Sequence, residues 1–207
     1  MTEGKRVYRS ELRAEQARRT RVQVLEAATR CFTTRGYAAT TMREIAAAAG
    51  VSVPTVFAQG SKAALLLACV DRSLVGTDDD RPVRELGAFE ELLTSPDRAG
   101  KLAAQRRLAA EVSPAHVAMQ AVFADAAAVD PEVGAAYTEY EGRRRADTTV
   151  LVEAFGPWLR DDVETAVDVC WAVLSPQTMV RLLRDCGWPV ERYADWLVGA
   201  VERLLLR

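Results

Sequence analysis

Apolar residues recur at helical spacing along most of this 207-residue chain. Val22, Leu25, Ala28 and Phe32 follow one another at intervals of three, three and four, the period of one helix face. Gly36 can end that helix, which we expect to run from about Ala17. No apolar–polar alternation flanked by Asn-Gly or Asp-Gly turns indicates a β-hairpin. The pattern therefore predicts an all-α fold.

Proline and glycine divide the rest of the chain into further helices. We predict helices over residues 61–75, 83–94, 97–111, 114–128, 131–155, 160–185 and 191–206, with a kink at Ser175–Pro176. Residues 79–81 are expected to form a solvated loop between Gly76 and Pro82. The length suits a small N-terminal domain, placed at 1–60, and a larger helical domain, placed at 61–207.

Residues 41–57, TMREIAAAAGVSVPTVF, have the outline of a helix-turn-helix. Thr41 and Glu44 can form a capping box at the start of the first helix. Gly50 can supply the left-handed residue that ends it. Ser52 can cap the second helix, in whose first turn Pro54 is tolerated. This spacing suits two helices that cross steeply around a short turn, and the second would enter a DNA major groove. The alternative is an ordinary helical corner.

The distribution of charge favours the DNA-binding interpretation. Residues 1–60 hold ten Lys/Arg and five Asp/Glu, a net charge of +5, whereas residues 61–207 hold 17 and 24, a net charge of −7. A basic end can contact phosphates while the acidic remainder stays off the polyanion. An isolated charge run is usually a solvated helix face, but this one adjoins the motif. We expect the first residues, up to about Ser10, to be a disordered basic arm.

The segment VLEAATRCFTTRGYAATTMREIAAAAGVSVPTVFAQGSKAALLLACV, residues 24–70, resembles the N-terminal pattern of the TetR family of bacterial transcription regulators. The resemblance implies a three-helix DNA-binding domain followed by a helical domain for ligand binding and dimerisation. It implies a phosphate contact for Thr41 and another for Lys62. Residues facing base edges or the adjacent backbone would be Ser52, Val53, Pro54 and Thr55.

Three departures from the family pattern lie at the end of the second motif helix. Phe57 stands where the family usually has a phosphate-contacting tyrosine and lacks the hydroxyl. Ala58 and Gln59 replace a common aromatic or histidine pair, and the link to Lys62 looks one residue short. Gln59 can still bind adenine through its amide. Direct readout would then rest on Arg43, Gln59, and threonine hydroxyl and methyl contacts.

Residues 175–206 resemble the C-terminal segment of a TetR subgroup that dimerises through its last two helices. The apolar stripes of the two last predicted helices would serve partly as core and partly as an interface with a second subunit. The family resemblance also implies a cavity for a small apolar or amphipathic inducer in the C-terminal domain. Its candidate liners are His116, Met119, Phe123, Tyr137, Trp158 and Trp171, and the alternative for each is a place in the core or on the surface.

Other classes of chemistry have little support in the sequence. One histidine and four scattered cysteines offer no metal-ligand spacing, and we expect no metal and no cofactor. No secretory signal or long apolar run appears, so we expect a cytoplasmic protein with reduced thiols and no membrane partner. The sequence therefore predicts a homodimeric, ligand-responsive repressor of a palindromic DNA operator, and not an enzyme. A ligand-free architectural or partner-binding protein and a helical enzyme remain the alternatives.

Overall fold

The computed structural model describes the backbone of residues 3–75 and 87–207, and the side chains of residues 15–73 and 87–207. The described chain is helical, and its one β-type contact there is an isolated antiparallel bridge between Leu159 and Leu206. The all-α prediction is confirmed. The chain divides into two compact units, Met1–Cys69 and Val70–Arg207.

The N-terminal unit is built from three helices and the first half of a fourth. They are α1 (Glu3–Arg35), α2 (Met42–Ala49), α3 (Val53–Phe57) and α4 (Lys62–Val75). The division between the units falls inside α4, whereas the sequence placed the domain boundary at residue 60. That boundary remains a prediction.

The N-terminal segment differs from the sequence-based expectation. The prediction of a disordered arm as far as Ser10 is wrong, because α1 begins at Glu3. No proline interrupts residues 3–35, and arginine, glutamate and alanine, which favour helix, dominate the segment. The continuous helix therefore extends well before the predicted start at Ala17.

The core of the N-terminal unit lies where the apolar stripe of α1 meets the next helices. Leu25, Ala28 and Phe32 are buried as the spacing predicted, whereas Val22 is half-buried. The Phe32 ring lies 5.8 Å from the ring of Tyr37, centroid to centroid. The Cys69 thiol of α4 donates a hydrogen bond to the Leu25 carbonyl, so the start of α4 belongs to this core.

The C-terminal unit contains seven further α-helices among its described residues. They are α5 (Gly87–Thr94), α6 (Arg98–Ala110), α7 (Pro114–Ala127), α8 (Pro131–Glu153), α9 (Val163–Val173), α10 (Pro176–Val180) and α11 (Val190–Leu205). A 3₁₀ turn occupies Gly156–Trp158, and a π-helical turn, Arg181–Asp185, follows α10. Most predicted helices agree with these bounds to within a few residues.

The predicted helix 160–185 is divided into two separate helices, α9 and α10, where the sequence predicted only a kink. Ser175 caps a new helix by accepting a hydrogen bond from the Thr178 N–H, with Pro176 in the first turn, where proline fits. The predicted loop at 79–81 and residues 83–86 of a predicted helix lie outside the described residues, as do the side chains of the basic run before residue 15.

Two apolar clusters among the described residues stabilise the C-terminal unit. The first joins α5, α6, α8, α9 and α11, and Leu92, Val152, Phe155 and Val201 are almost inaccessible there. The second joins α6, α7, α10 and α11 around Val117, Met179 and Tyr193. Both clusters draw on α11, so the inward face of the last helix is committed to the core of its own chain.

Candidate nucleic-acid interface

The first helix of the motif begins as the sequence predicts. Thr41 has extended backbone geometry and its hydroxyl accepts a hydrogen bond from the Glu44 N–H, 3.2 Å away. The Glu44 carboxylate accepts in turn from the Thr41 N–H at 2.9 Å. These bonds from Thr41 hold the pKa of Glu44 below its usual value. The reciprocal pair is a capping box, which fixes where α2 starts.

The turn between α2 and α3 is set by Gly50 and Ser52. Gly50 has a φ of 66°, a left-handed conformation that glycine adopts without steric cost. Ser52 accepts a hydrogen bond from the Thr55 N–H at 3.2 Å, and Pro54 lies in the first turn of α3. Val56 is completely buried and anchors α3 from below. The predicted turn geometry is therefore confirmed residue by residue.

Anchoring through Val56 turns the other side of the motif outward. Of the nine predicted DNA-contacting residues, Val53, Thr55, Gln59 and Lys62 are half-buried, and the rest are exposed. Phe57 is 58% exposed, which is unusual for an aromatic side chain without an apolar partner surface. Thr41, Arg43, Ser52, Pro54 and Phe57 are therefore open to solvent, and the DNA contacts of all nine residues remain a prediction.

Arginines from α1 reach the motif helices. Arg21 donates to the Gln59 carbonyl at 3.5 Å, and Arg30 donates to the Ala48 carbonyl at 3.4 Å. Arg35 pairs with Glu44 of the capping box. Arg18 and Arg19 pair with Glu15 but remain about three-quarters exposed. Arg21, Arg30 and Arg35 thus join α1 to the motif.

Lys62 has a structural role that the sequence did not reveal. Its Nζ donates hydrogen bonds to the Tyr37 carbonyl at 3.1 Å and to the Thr40 carbonyl at 3.2 Å. The same ammonium lies 4.2 Å from the centroid of the Tyr37 ring, a cation–π distance. Lys62 therefore fastens the start of α4 to the loop between α1 and α2, and its predicted phosphate contact remains a prediction.

Lys62→Met tests this fastening, because methionine keeps the side-chain length and removes the charge. Loss of two charge-assisted hydrogen bonds and a cation–π contact should destabilise the N-terminal unit by about 1–3 kcal/mol. Urea denaturation followed by far-UV circular dichroism measures the change. Arg18→Met, which removes a cation from a largely exposed position, is the matched control. Equal stabilities of the two variants would show that Lys62 has no structural role.

The six candidate pocket residues lie on several elements of the C-terminal unit, and their role as pocket liners remains a prediction. His116, Met119 and Phe123 lie on α7, and Phe123 packs edge-on against Tyr137 of α8 with ring centroids 5.0 Å apart. Trp158 packs against the first apolar cluster, and the Arg145 guanidinium lies 5.8 Å from the Trp171 ring centroid. His116 Nδ1 lies 3.2 Å from Ser73 Oγ of α4.

A cleft between α7 and α10 is lined by a different set of residues, which the sequence analysis did not identify. The cleft has a volume of about 210 Å³ and is lined by Gln120, Ala121, Ala124, Asp125, Pro176, Gln177, Val180, Arg181, Arg184 and Asp185. Small and polar residues recur on one face of α7 at positions 120, 121, 124 and 125, a signal that is visible in the sequence. It is easily passed over because aromatic residues attract attention first in a search for a pocket.

Comparison with known proteins agrees with the helix-turn-helix geometry. Residues 24–69 match the family described as bacterial regulatory proteins, tetR family. No curated protein matches the chain in sequence.

Solved structures share the fold at low sequence identity. NalD from Pseudomonas aeruginosa, the secondary repressor of the MexAB-OprM multidrug efflux pump, superposes with a TM-score of 0.62 and 18% identity, over 93% of this chain and 98% of NalD. A candidate TetR-family regulator from Mesorhizobium loti gives 0.64 and 20%, over 92% and 98%. A candidate transcriptional regulator from Saccharomonospora viridis, in complex with choline, gives 0.65 and 18%, over 90% and 97%.

The capped helix-turn-helix and the helical architecture define a DNA-binding transcription regulator. Residues 24–69 match the tetR family of bacterial regulatory proteins, and the described fold is that of solved TetR-family regulators. Regulators of this family are generally not enzymes. Within the described residues, no helix has both the length and the apolar character of a membrane span, and no cluster of three or more potential ligands could hold a metal ion.

Proposed function

We propose that this regulator is a ligand-responsive repressor that binds a palindromic operator as a homodimer. The observation that carries the proposal is the exposed end of the motif, residues 52–59, held on a buried Val56 and flanked by arginines of α1. A rigid helix with an outward polar and aromatic surface beside cations meets the needs of major-groove readout. NalD, which shares the fold, is a repressor. Since bacterial DNA lies in the cytoplasm, the proposal places the protein there.

The proposed DNA contacts divide into backbone positioning and base readout. Thr41 and Lys62 would contact phosphates and so position the protein on the duplex. Arg43 would contact a phosphate or a guanine. Gln59 would read an adenine. Ser52, Val53, Pro54 and Thr55 offer short hydroxyl and apolar contacts. Phe57 has no hydroxyl for a phosphate, and its exposed ring suits a thymine methyl.

Arg43→Gln and Phe57→Tyr test this division by opposite changes. Arg43→Gln removes one cation, so operator affinity should fall about tenfold or more, and the salt slope should decrease by about 1 if the contact is a phosphate. Phe57→Tyr adds the missing hydroxyl and should tighten binding a few-fold with no change in salt slope, because tyrosine is neutral. Fluorescence anisotropy on labelled operator DNA measures both. Wild-type affinity in both variants would place the interface elsewhere.

A dimer is proposed through the last helices, α9 to α11. Their inward faces pack within the chain, and Val163 and Leu204 remain exposed by 41% and 48%. A single recognition helix spans too few base pairs for useful specificity, whereas a two-fold dimer reads two half-sites about one DNA turn apart. Sedimentation velocity should give twice the mass of the chain, and Leu204→Glu should shift the equilibrium towards monomer. A monomeric wild-type protein would contradict the proposal.

The proposed ligand acts by favouring one conformer of the dimer. A ligand can shift the protein away from DNA only to the extent that it binds the two conformers unequally. The fold neighbour from Saccharomonospora viridis holds choline, which supports a small-molecule ligand here without identifying it. A shift of α4 is the proposed link, because this helix begins at Lys62 in the N-terminal unit and continues to Val75.

Selection of bound sequences from random DNA tests the proposal as a whole. The expected product is a palindromic motif with half-sites about one helical turn apart, whose enrichment falls when an inducer in cell extract is added. An unenriched pool would favour the architectural or partner-binding alternative. Turnover of substrates that is lost in His116→Ala would favour the helical enzyme.

A further inference from the structure

The cleft between α7 and α10 contains an unusual combination of groups. Ala121, Ala124, Pro176 and Val180 give it an apolar floor. Its volume of about 210 Å³ is that of a small molecule: a cavity of about 150 Å³ holds benzene. One ring with a short chain therefore fits, and most larger drug-like compounds do not.

Gln120, one of the residues that line the cleft, has an unused and buried hydrogen-bond acceptor. Gln120 is 1% exposed, and its Nε2 donates a hydrogen bond to the Tyr140 hydroxyl at 3.0 Å. Burial raises the pKa of Tyr140 to about 12, so that hydroxyl stays neutral. Gln120 Oε1 has no partner among the described residues. A buried carbonyl oxygen without a donor is costly, and a ligand N–H or O–H could satisfy it.

A second glutamine supports the wall at the other helix. Gln177 Nε2 donates to the Tyr137 hydroxyl at 2.6 Å. Tyr137 and Tyr140 pack against Phe123, with ring centroids 5.0 and 5.6 Å from it. The two tyrosines of α8 thus hold both glutamines in place, which gives the cleft a preorganised inner wall.

Among the described residues, the rim of the cleft carries one acidic and one basic side chain without an ion-pair partner. Arg184 is paired with Asp185 at 2.8 Å. Asp125 of α7 and Arg181 of the π-helical turn also line the cleft, and neither has an ion-pair partner among the described residues. A ligand that carries both an ammonium and a carboxylate would satisfy the two together without adding net charge.

We propose that this cleft binds a compact zwitterion, a free amino acid whose side chain ends in a hydrogen-bond donor. Asp125 receives the ammonium, Arg181 receives the carboxylate, and Gln120 Oε1 accepts from the side chain. The inference rests on the proposed function, because it assigns the cleft as the effector site of the regulator. It narrows the ligand from apolar or amphipathic molecules in general to one charge pattern and one size.

The position of the cleft also gives it a route to α4. Gln120 lies one helical turn after His116 on α7. Ser73 of α4 donates its only hydroxyl proton to the Val70 carbonyl at 2.7 Å, so its oxygen accepts from His116 Nδ1–H. A ligand that displaces α7 at Gln120 therefore acts on the hydrogen bond that joins α7 to α4, the helix that begins in the DNA-binding unit.

A panel of four related compounds tests the proposal on the full-length protein. L-tyrosine carries all three groups; tyramine lacks the carboxylate, 3-(4-hydroxyphenyl)propionate lacks the ammonium, and L-phenylalanine lacks the hydroxyl. Isothermal titration calorimetry should show L-tyrosine binding about tenfold or more tightly than either singly charged compound, and a few-fold more tightly than L-phenylalanine. Equal affinities, a preference for a singly charged compound, or no binding of L-tyrosine would overturn the proposal.

Three variants link each ligand group to its residue. Arg181→Gln should make L-tyrosine and tyramine bind with equal affinity. Asp125→Asn should remove the difference in affinity between L-tyrosine and 3-(4-hydroxyphenyl)propionate. Gln120→Leu should remove the difference between L-tyrosine and L-phenylalanine. Arg184→Gln is the control, because Arg184 is already paired, and it should keep all preferences. Unchanged preferences in the first three variants would show that binding occurs elsewhere.

Operator binding without ligand separates this inference from the proposed function. If the wild-type protein binds its operator but not L-tyrosine, the effector assignment fails and the regulator function stands. If L-tyrosine binds at the cleft and no DNA binds, the proposed function fails and the ligand site stands. If both hold, L-tyrosine should release operator DNA from the wild-type protein, and Gln120→Leu should need a few-fold higher L-tyrosine concentration for the same release.

Discussion

Phe32→Ala is expected to destabilise the N-terminal unit by about 3–5 kcal/mol and to abolish DNA binding. The Phe32 side chain is completely buried near the end of α1 and packs against Tyr37. Truncation removes the ring and leaves a cavity where α1 meets the loop that leads into α2. A unit of this size has a small core, so a loss of this magnitude approaches its whole stability.

The positions of the tryptophans allow a unit-specific measurement. All four tryptophans lie beyond residue 157, in the C-terminal unit. Phe32→Ala should therefore lower the helicity seen by far-UV circular dichroism while the denaturation curve followed by tryptophan fluorescence persists. Phe57→Ala is the matched control, since the same change at a 58% exposed ring should cost well under about 1 kcal/mol. Similar losses in the two variants would mean that Phe32 is not part of the core.

The second large effect is on pH dependence, and it centres on His116. Burial lowers the pKa of His116 to about 4 from 6.5. Its Nδ1–H is committed to Ser73 Oγ, so a second proton would have to enter at Nε2 within the packed unit. The imidazole is therefore neutral in the folded protein at pH values where the unfolded chain already binds a proton.

The direction of the effect follows from that difference. Above pH 6.5 both states are neutral at His116 and it contributes no pH dependence. Between pH 6.5 and about 4, His116 is protonated only in the unfolded state. The free energy of unfolding of the C-terminal unit should therefore decrease as the pH is lowered, by roughly 3 kcal/mol at most. Below about pH 4, both states are protonated at His116, and its contribution no longer changes with pH. Paired carboxylates add their own loss at low pH.

His116→Asn isolates the contribution of the imidazole, because asparagine is neutral and can still donate to Ser73. The variant should show a flatter stability profile between pH 6.5 and 4 when denaturation is followed by tryptophan fluorescence. His116 is the only histidine, so its ring-proton resonance gives the pKa directly by NMR. A measured pKa near 6.5, with parallel profiles for the two proteins, would contradict the assignment.

The sequence predicted the N-terminal unit well because local signals determine it. Thr41, Glu44, Gly50 and Ser52 each act on backbone groups within a few residues, so their types and spacing carry the geometry. The role of Lys62 could not be read in this way. Its partners lie 22 and 25 residues earlier, and only the packed loop brings their carbonyls to the ammonium.

The C-terminal unit was predicted as helices but not as a site. Helix bounds follow from prolines and caps, whereas the walls of a cleft depend on which helices become neighbours. Gln120 and Gln177 are far apart in the chain and meet the same aromatic group only after α7, α8 and α10 pack. Of the residues favoured by the sequence analysis, Met119 and Phe123 are almost fully buried, and their place in a pocket remains a prediction.

The salt dependence of DNA binding tests the central claim, that the basic N-terminal unit is a sequence-reading DNA-binding domain. Fluorescence anisotropy should be measured on DNA from immediately upstream of the gene and on a shuffled duplex of equal length. The upstream DNA should bind more tightly, and its affinity should fall about a hundredfold or more between about 50 and 200 mM salt, as expected for four or more neutralised phosphates. Equal affinity for both duplexes, or binding that does not change with salt, would contradict the claim.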